Sequence, residues 1–114
     1  MKNCVIIEDE STALEVAKHL VAKNTSLNIL ATFNKATDAL TFVNGQEVDI
    51  ILLDIHLPDM SGFSFLEGLT AKPKVILITS DRNLALTAYN FDLVVDYLVK
   101  PLQKDRFIEA INQY

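Results

Sequence analysis

The chain has 114 residues, of which half are hydrophobic and 22% are charged, with only three glycines and three prolines. This balance is typical of a globular chain with one core, so we predict a single domain over residues 1–114 and exclude a disordered or collagen-like chain. The net charge of −5 gives no basis for non-specific binding to nucleic acid or anionic membrane, and the single cysteine excludes an internal disulfide.

The first ten residues, MKNCVIIEDE, contain an apolar run that is too short for a signal peptide or a membrane-spanning helix, and three acids follow it directly. The lone cysteine, Cys4, suits a reducing compartment, and no cysteine–histidine spacing indicates a zinc site. We therefore predict a cytoplasmic protein that makes no membrane contact.

Strand-like and helix-like segments alternate along the chain. Consecutive apolar residues are typical of strands in a parallel sheet covered by helices on both faces. Five such runs, of which the second is more mixed and suits an edge strand, lie at Cys4–Ile7, Leu27–Phe33, Ile50–Leu53, Val75–Ile78 and Val94–Leu98. Apolar residues recur at helical spacing after each run, at Leu14, Ala17 and Val21, at Ala36, Ala39, Leu40 and Val43, at Leu66 and Leu69, at Leu84, Ala85 and Ala88, and at Phe107, Ile108 and Ile111.

Capping and turn residues separate these segments. Ser11, Ser61 and Asp81 can each accept a backbone N–H bond at a helix start, while Asn44-Gly45 and Lys72-Pro73 mark two exits. Short connections between strands of the same direction require helical crossovers. The pattern therefore predicts an α/β fold, a doubly wound parallel sheet of five strands.

Polar residues follow four of the five predicted strands, where function collects in this type of fold. They are Glu8-Asp9-Glu10, Asp54, Thr79-Ser80 and Lys100-Pro101. Clustered carboxylates raise one another's pKa unless they share a cation, and a hard divalent ion such as Mg²⁺ is the natural partner for oxygen ligands. With that charge neutralised, Asp54 could attack phosphorus, while Thr79 and Lys100 bond to phosphoryl oxygens.

Taken singly, most of these residues have an ordinary structural interpretation. The acids after the first strand suit the positive end of a helix, Thr79 suits a turn, and Lys100 suits a solvated strand end. Asp54 is harder to explain in this way, because a carboxylate that closes an apolar run risks burial without a partner.

Four motifs, in order and at these spacings, resemble the receiver domains of two-component response regulators. They lie at Ile6–Glu10, Asp49–Gly62, Ile76–Ser80 and Asp96–Pro101, and the resemblance covers nearly the whole chain. It implies a flavodoxin-like (βα)5 fold with strand order 2-1-3-4-5. It also implies a phosphoacceptor signalling domain with no enzymatic activity other than its own phosphorylation and dephosphorylation.

The resemblance also implies roles for individual residues. Asp54 is the phosphoacceptor, Thr79 and Lys100 contact the phosphoryl group, and Tyr97 is an aromatic switch. Magnesium would be held by Asp9, Asp54 and the backbone carbonyl of His56, with Glu8 acting mostly through water. Pro58 and Gly62 fit the loop after Asp54, and Lys100-Pro101 resembles the family's cis-peptide element.

The resemblance extends to partners. A histidine kinase or a phosphotransfer protein would donate the phosphoryl group, and the surface of the fourth helix, fifth strand and fifth helix would switch, with a homodimer formed on phosphorylation. The stretch Ala88–Pro101 is similar to receivers joined to LytTR-type DNA-binding domains. The resemblance therefore implies either a longer transcription regulator with such a domain outside this chain or a single-domain receiver. The domain itself would make no direct nucleic-acid contact.

Three other classes of protein fit these residues less well. A magnesium-dependent aspartyl-phosphate hydrolase also uses an aspartate after a strand, but it needs a second aspartate where this chain has His56. An unphosphorylated receiver-like scaffold would not need Asp54, Thr79 and Lys100 together. A nucleotide or flavin carrier would need a glycine-rich phosphate loop, which is missing from the sequence.

Overall fold

The computed structural model describes residues 2–24, 27–88 and 90–114. Strands and helices alternate through these ranges. They are β1 (Asn3–Ile7), α1 (Ser11–Asn24), β2 (Asn28–Phe33), α2 (Ala36–Asn44), β3 (Ile50–Asp54), α3 (Gly62–Gly68), β4 (Lys74–Thr79), α4 (Leu84–Ala88), β5 (Val94–Val99) and α5 (Lys104–Gln113).

The five strands form one sheet in the order β2-β1-β3-β4-β5, and every pairing is parallel. This confirms the predicted strand order and the edge position of the mixed second strand. Because the chain winds outward from β1 in both directions, a crevice opens at the carboxyl ends of β1 and β3.

The core consists of two layers, one on each face of the sheet. Cys4 and Ile6 of β1 face the layer that includes Val21 of α1 and Phe107 of α5. Neighbouring β1 residues face the opposite layer, which α2, α3 and α4 cover. Alternation along the strand places successive side chains on opposite faces, and burial on both faces explains why the central strands are continuously apolar.

The helix starts agree with the sequence in one of three places, Ser61, which caps α3 by accepting a bond from the N–H of Ser64 at 3.1 Å. Oδ1 of Asp81 accepts the N–H of Asn83, which lies in the turn before α4 and not in the helix itself. The prediction for Ser11 was wrong, because α1 begins at Ser11 itself. The side chain of Ser11 therefore lies inside the first turn instead of ahead of it.

Cys4 is fully buried in the sheet, and burial raises the pKa of its thiol to about 12, so it packs as a small apolar side chain. In the parts of the chain that the structure describes, no helix has the length and apolar character needed to cross a membrane. Tyr89, which belongs to the motif that resembles LytTR-linked receivers, lies outside the described residues.

Candidate functional site

The sheet brings the predicted polar residues to one edge. Glu8 follows β1 directly, Asp54 and Thr79 are the last residues of β3 and β4, and Lys100 follows β5 directly. All four strands run in the same direction, so their carboxyl ends meet at this edge although the residues are distant in sequence.

Three carboxylates form a cluster in the crevice between β1 and β3. Oxygens of Glu8, Asp9 and Asp54 all lie within 4.8 Å of one another. Glu8 and Asp54 are almost fully buried, with 1% and 2% of their surface exposed, whereas Asp9 is exposed. The cluster therefore has an open side and a closed side.

This arrangement fits a hard divalent cation. Oε2 of Glu8 accepts the N–H of Glu10 at 3.1 Å. Oε1 of Glu8 lies 2.8 Å from the Lys100 ammonium as an ion pair, but no residue that the structure describes gives this buried atom a well-aligned hydrogen bond. An under-satisfied buried carboxylate beside two others has the donor chemistry that magnesium prefers.

Lys100 supplies the positive charge within the described site. Its Nζ lies 2.8 Å from Oε1 of Glu8, 2.8 Å from Oε1 of Glu10 and 3.5 Å from Oδ2 of Asp54. Burial opposes the charge of the ammonium, but the contacts with Glu10 and Glu8 outweigh burial and raise the pKa of Lys100 above its usual value. Lys100 is therefore a permanent cation at neutral pH. The Lys100–Pro101 peptide bond is cis, as the motif predicts.

The carboxyl of Asp54 is destabilised as an anion in the metal-free protein. Burial raises its pKa to about 7, and the neighbouring Glu8 carboxyl adds to the rise. The N–H of His56, which donates to Oδ1 at 3.1 Å, and the Lys100 ammonium lower the pKa in part. A cation bound next to Asp54 would favour its ionised, nucleophilic form.

The loop after Asp54 is tightly folded. The N–H of Gly62 donates to the carbonyl of Ile55 at 2.7 Å, and a Cβ at position 62 would lie only 2.9 Å from Cα of Ile55. Glycine is therefore required by the close approach of two backbone segments. His56 in this loop is exposed, and its N–H donates to Asp54.

Thr79 is fully buried at the end of β4, and its hydroxyl is already hydrogen-bonded. Oγ1 accepts the N–H of Asp81 at 3.0 Å and donates to the Asp81 carbonyl at 3.4 Å. A ligand at Asp54 would have to compete with the β4–α4 turn for this hydroxyl.

Tyr97 lies apart from the carboxylates, in the middle of β5. It pairs in register with Leu77 and packs, half-buried, against the core layer beneath α2, α3 and α4. Next to it, Asp96 forms a two-pronged ion pair with Arg106 of α5, at 2.7 and 3.2 Å. Tyr97 therefore lies two strands away from β3, the strand that Asp54 ends.

Two residues at this edge make contacts that the sequence did not predict. Glu10 was part of the acidic run, but no pattern pointed to its bond with Lys100. Asp59, in the loop after Asp54, accepts the N–H groups of Ala36 and Thr37 at 2.9 and 2.8 Å. The sequence gives only an indirect sign of the Asp59 contact. Lys35, which precedes α2, cannot cap the helix with its side chain, so another acceptor is needed there.

Comparisons with known proteins agree with this geometry. The family model described as the response regulator receiver domain matches residues 4–112. The chain is 30% identical over 112 residues to the transcriptional regulatory protein YpdB of Escherichia coli K12, covering 96% of this chain and 46% of YpdB. It is 27% identical over 117 residues to the sensory transduction protein LytT of Bacillus anthracis, covering 100% of this chain and 47% of LytT. The chain thus spans less than half the length of both relatives.

Among solved structures, the response regulatory domain of MrkE from Klebsiella pneumoniae is similar to this chain, with a TM-score of 0.90 and 28% identity. The match covers 97% of this chain and 93% of that domain. These matches do not favour the phosphohydrolase alternative. With four strand ends converging on one carboxylate cluster, this chain belongs to the response regulator receiver domains, the phosphoacceptor signalling domains of that protein class.

Proposed function

We propose that Asp54 is the residue that accepts the phosphoryl group, and that residues 1–114 form a single receiver domain around it. The observation that carries the proposal is the position of the Asp54 carboxylate, which is buried at the closed end of the crevice but faces both an ammonium and two further carboxylates. A buried carboxylate in these surroundings is suited to act as a nucleophile towards a phosphoryl group that is bound to a cation.

Asp9 and Asp54, with the backbone carbonyl of His56, are the proposed magnesium ligands. Glu8 is bonded to the N–H of Glu10 and paired with Lys100, which supports a role through water for its carboxylate. Magnesium, when bound, neutralises the carboxylates and draws charge from the phosphoryl oxygens.

The chemical step forms one bond and breaks one. A carboxylate oxygen of Asp54 attacks phosphorus, the phosphorus–nitrogen bond of a donor phosphohistidine breaks, and the electron pair of that bond leaves with the imidazole nitrogen. Lys100 then pairs with a phosphoryl oxygen, and the hydroxyl of Thr79 can donate to another. For dephosphorylation, the oxygen of a water molecule attacks phosphorus, the bond between phosphorus and the Asp54 oxygen breaks, and inorganic phosphate leaves while the Asp54 carboxylate is restored. The proposal limits the chemistry of the domain to these two reactions, its own phosphorylation and dephosphorylation.

A histidine kinase or a phosphotransfer protein is the proposed donor. A groove of about 440 Å³ beside Lys100, lined by Ala13, Val16, Pro101 and Leu102 among others, offers a largely apolar surface next to the site. Val16 in this groove is one of the exposed large hydrophobic side chains, and exposed apolar patches are typical of protein–protein contacts. The donor's histidine would approach Asp54 from the open side, where Asp9 is exposed.

The output proposed is a change in the surface formed by α4, β5 and α5, with Thr79 and Tyr97 as the switch. The relatives named as regulatory and sensory transduction proteins are about twice as long as this chain, which supports a longer transcription regulator with a LytTR-type DNA-binding domain. A homodimer formed on phosphorylation is a separate part of the proposal. The proposal includes a cytoplasmic location, supported by the single, buried and unreactive thiol of Cys4. It assigns no direct nucleic-acid contact to this domain, in keeping with the net charge of −5.

The direct test is incubation with acetyl phosphate and Mg²⁺ followed by intact-mass measurement. We expect one added phosphoryl group on the wild-type protein and on Asp49→Asn, a control at the opposite end of β3. Asp54→Asn should gain none. A phosphoryl group on Asp54→Asn, or none on the wild type, would overturn the assignment.

A further inference from the structure

Glu10 is the one member of the acidic run without a part in the metal site or the phosphoryl step. Its Oε1 accepts a hydrogen bond from Nζ of Lys100 at 2.8 Å, across 90 positions of sequence. The same ammonium lies 3.5 Å from Asp54. In the unmodified protein, Lys100 is therefore held closer to the start of α1 than to the carboxylate on which the phosphoryl group forms.

The two glutamates that hold Lys100 differ in how easily they can release it. The Glu8 side chain is 1% exposed, so loss of its cation would leave a buried carboxylate unpaired. The Glu10 side chain is 64% exposed, and water can replace the ammonium there at low cost. Glu10 and Lys100 also line the same solvent-open groove. Of the two glutamates, Glu10 is thus the one whose ion pair with Lys100 breaks more easily.

We infer that Glu10 is a positioning residue that restrains Lys100 until a phosphoryl oxygen competes for the ammonium. The inference rests on the proposed role of Lys100 as a phosphoryl contact. An ammonium has three N–H donors, and in the unmodified protein these face Glu8, Glu10 and Asp54. To move towards a group on Asp54, Lys100 must lengthen its bond to Glu10. Glu10 therefore opposes both the phosphorylation step and the phosphorylated state.

Glu10→Gln tests the restraint, because it keeps the size of the side chain and an acceptor oxygen but removes the charge. With acetyl phosphate and saturating Mg²⁺, we expect Asp54 phosphorylation about two- to five-fold faster than in the wild type, the range of an exposed ion pair. The Kd for beryllofluoride, a phosphoryl mimic, should fall by a similar factor. The matched control is Glu15→Gln, which removes one charge from an exposed glutamate of α1 that pairs with Lys18. It should change neither value.

Both glutamate variants are then repeated in a Lys100→Ala background. A restraint that acts through Lys100 predicts that Glu10→Gln no longer differs from Glu15→Gln there, by rate or by beryllofluoride affinity. The same gain in both backgrounds would mean that Glu10 acts only by general repulsion of the anion. Unchanged or slower phosphorylation of Glu10→Gln would also overturn the inference. The wild type separates the two proposals: if it gains no phosphoryl group, the proposed function itself fails.

Discussion

At the scale of single residues, Asp54 shows the cost of placing a charge where a core strand ends. It closes β3 after four fully buried apolar residues, so its carboxylate loses most of its water. The His56 N–H and Lys100 compensate only partly, because the adjacent Glu8 carboxyl repels a second negative charge. Without a metal ion, the Glu8 and Asp54 carboxylates therefore repel each other, and a bound cation would reduce this repulsion.

We predict that Asp54→Asn stabilises the metal-free protein and that the gain depends on pH. The folded-state pKa of Asp54 is raised from 3.8 to about 7, so between these values the folded protein keeps a proton that the unfolded chain has lost. Wild-type stability relative to Asp54→Asn therefore falls as pH rises from about 4 to about 7, and levels off above 7. At pH 8 in EDTA the variant should be more stable by about 1–3 kcal/mol.

Urea unfolding at pH 4, 5, 6, 7 and 8 in EDTA measures this difference. Asp92→Asn, which changes an exposed aspartate in the turn before β5, is the control for the loss of one negative charge. A constant difference between Asp54→Asn and the wild type across the range would contradict the argument. So would a wild-type protein that is the more stable of the two at pH 8.

At the scale of elements, α2 depends on a residue from another loop. Lys35 precedes α2 with extended backbone and no side-chain capping bond. The carboxylate of Asp59 takes that place, with one oxygen on the N–H of Ala36 and the other on the N–H of Thr37. An acid at the positive end of a helix is also favoured by the helix dipole. Asp59 thereby ties α2 to the loop that begins at Asp54.

We predict that Asp59→Ala lowers the melting temperature by a few degrees at pH 7, because α2 loses the acceptor for two backbone N–H groups. The bonds from Thr37 and Ala36 lower the pKa of Asp59 to about 2. Its contribution is therefore complete above the unfolded value near 4 and is lost as pH falls from there towards 2. The melting temperatures of the two proteins should converge over that interval.

Two variants serve as controls in thermal unfolding. Asp59→Asn keeps one acceptor oxygen and should recover part of the loss. Asp38→Asn removes an acid from the first turn of α2 but leaves the bonds from Asp59 intact, so it should have a smaller effect than Asp59→Ala. Equal effects of Asp38→Asn and Asp59→Ala would show that charge near the helix, not capping, is responsible.

The elements also show which features a sequence reveals. Each buried strand carries its own signature, because burial on both faces demands consecutive apolar residues such as those from Ile50 to Leu53. The edge residues Glu8, Asp54 and Lys100 could be placed together because parallel strands end on one side. By contrast, the bonds from Thr37 to Asp59 and from Lys100 to Glu10 join residues 22 and 90 positions apart. Such pairings leave no periodic pattern, so only the structure reveals them.

At the scale of the whole molecule, β4 lies between the strand that carries Asp54 and the strand that carries Tyr97. Its last residue, Thr79, pairs with Val99 of β5, and the preceding Ile78 pairs with Asp54. A displacement of Thr79 therefore affects both neighbouring strands, β3 and β5. α4 follows the turn at Asp81, whose N–H is bonded to the hydroxyl of Thr79.

The last prediction concerns this route from Asp54 to the α4 surface. A phosphoryl group adds close to two negative charges and three acceptor oxygens, which compete with the Asp81 backbone for the hydroxyl of Thr79. Drawing Thr79 towards Asp54 loosens the β4–α4 turn and leaves room beneath α4 for the ring of Tyr97. The phosphoryl group shifts a pre-existing equilibrium between the unswitched and switched conformations by its differential interaction with the two.

Thr79→Ala should thus accept a phosphoryl group on Asp54 at a substantial rate but lose most of the response at α4. Amide NMR shifts of Leu84, Thr87 and Tyr97, with and without beryllofluoride, measure that response, and Thr41→Ala, an exposed hydroxyl on α2, is the control. Wild-type-sized shift changes in Thr79→Ala would rule out this route.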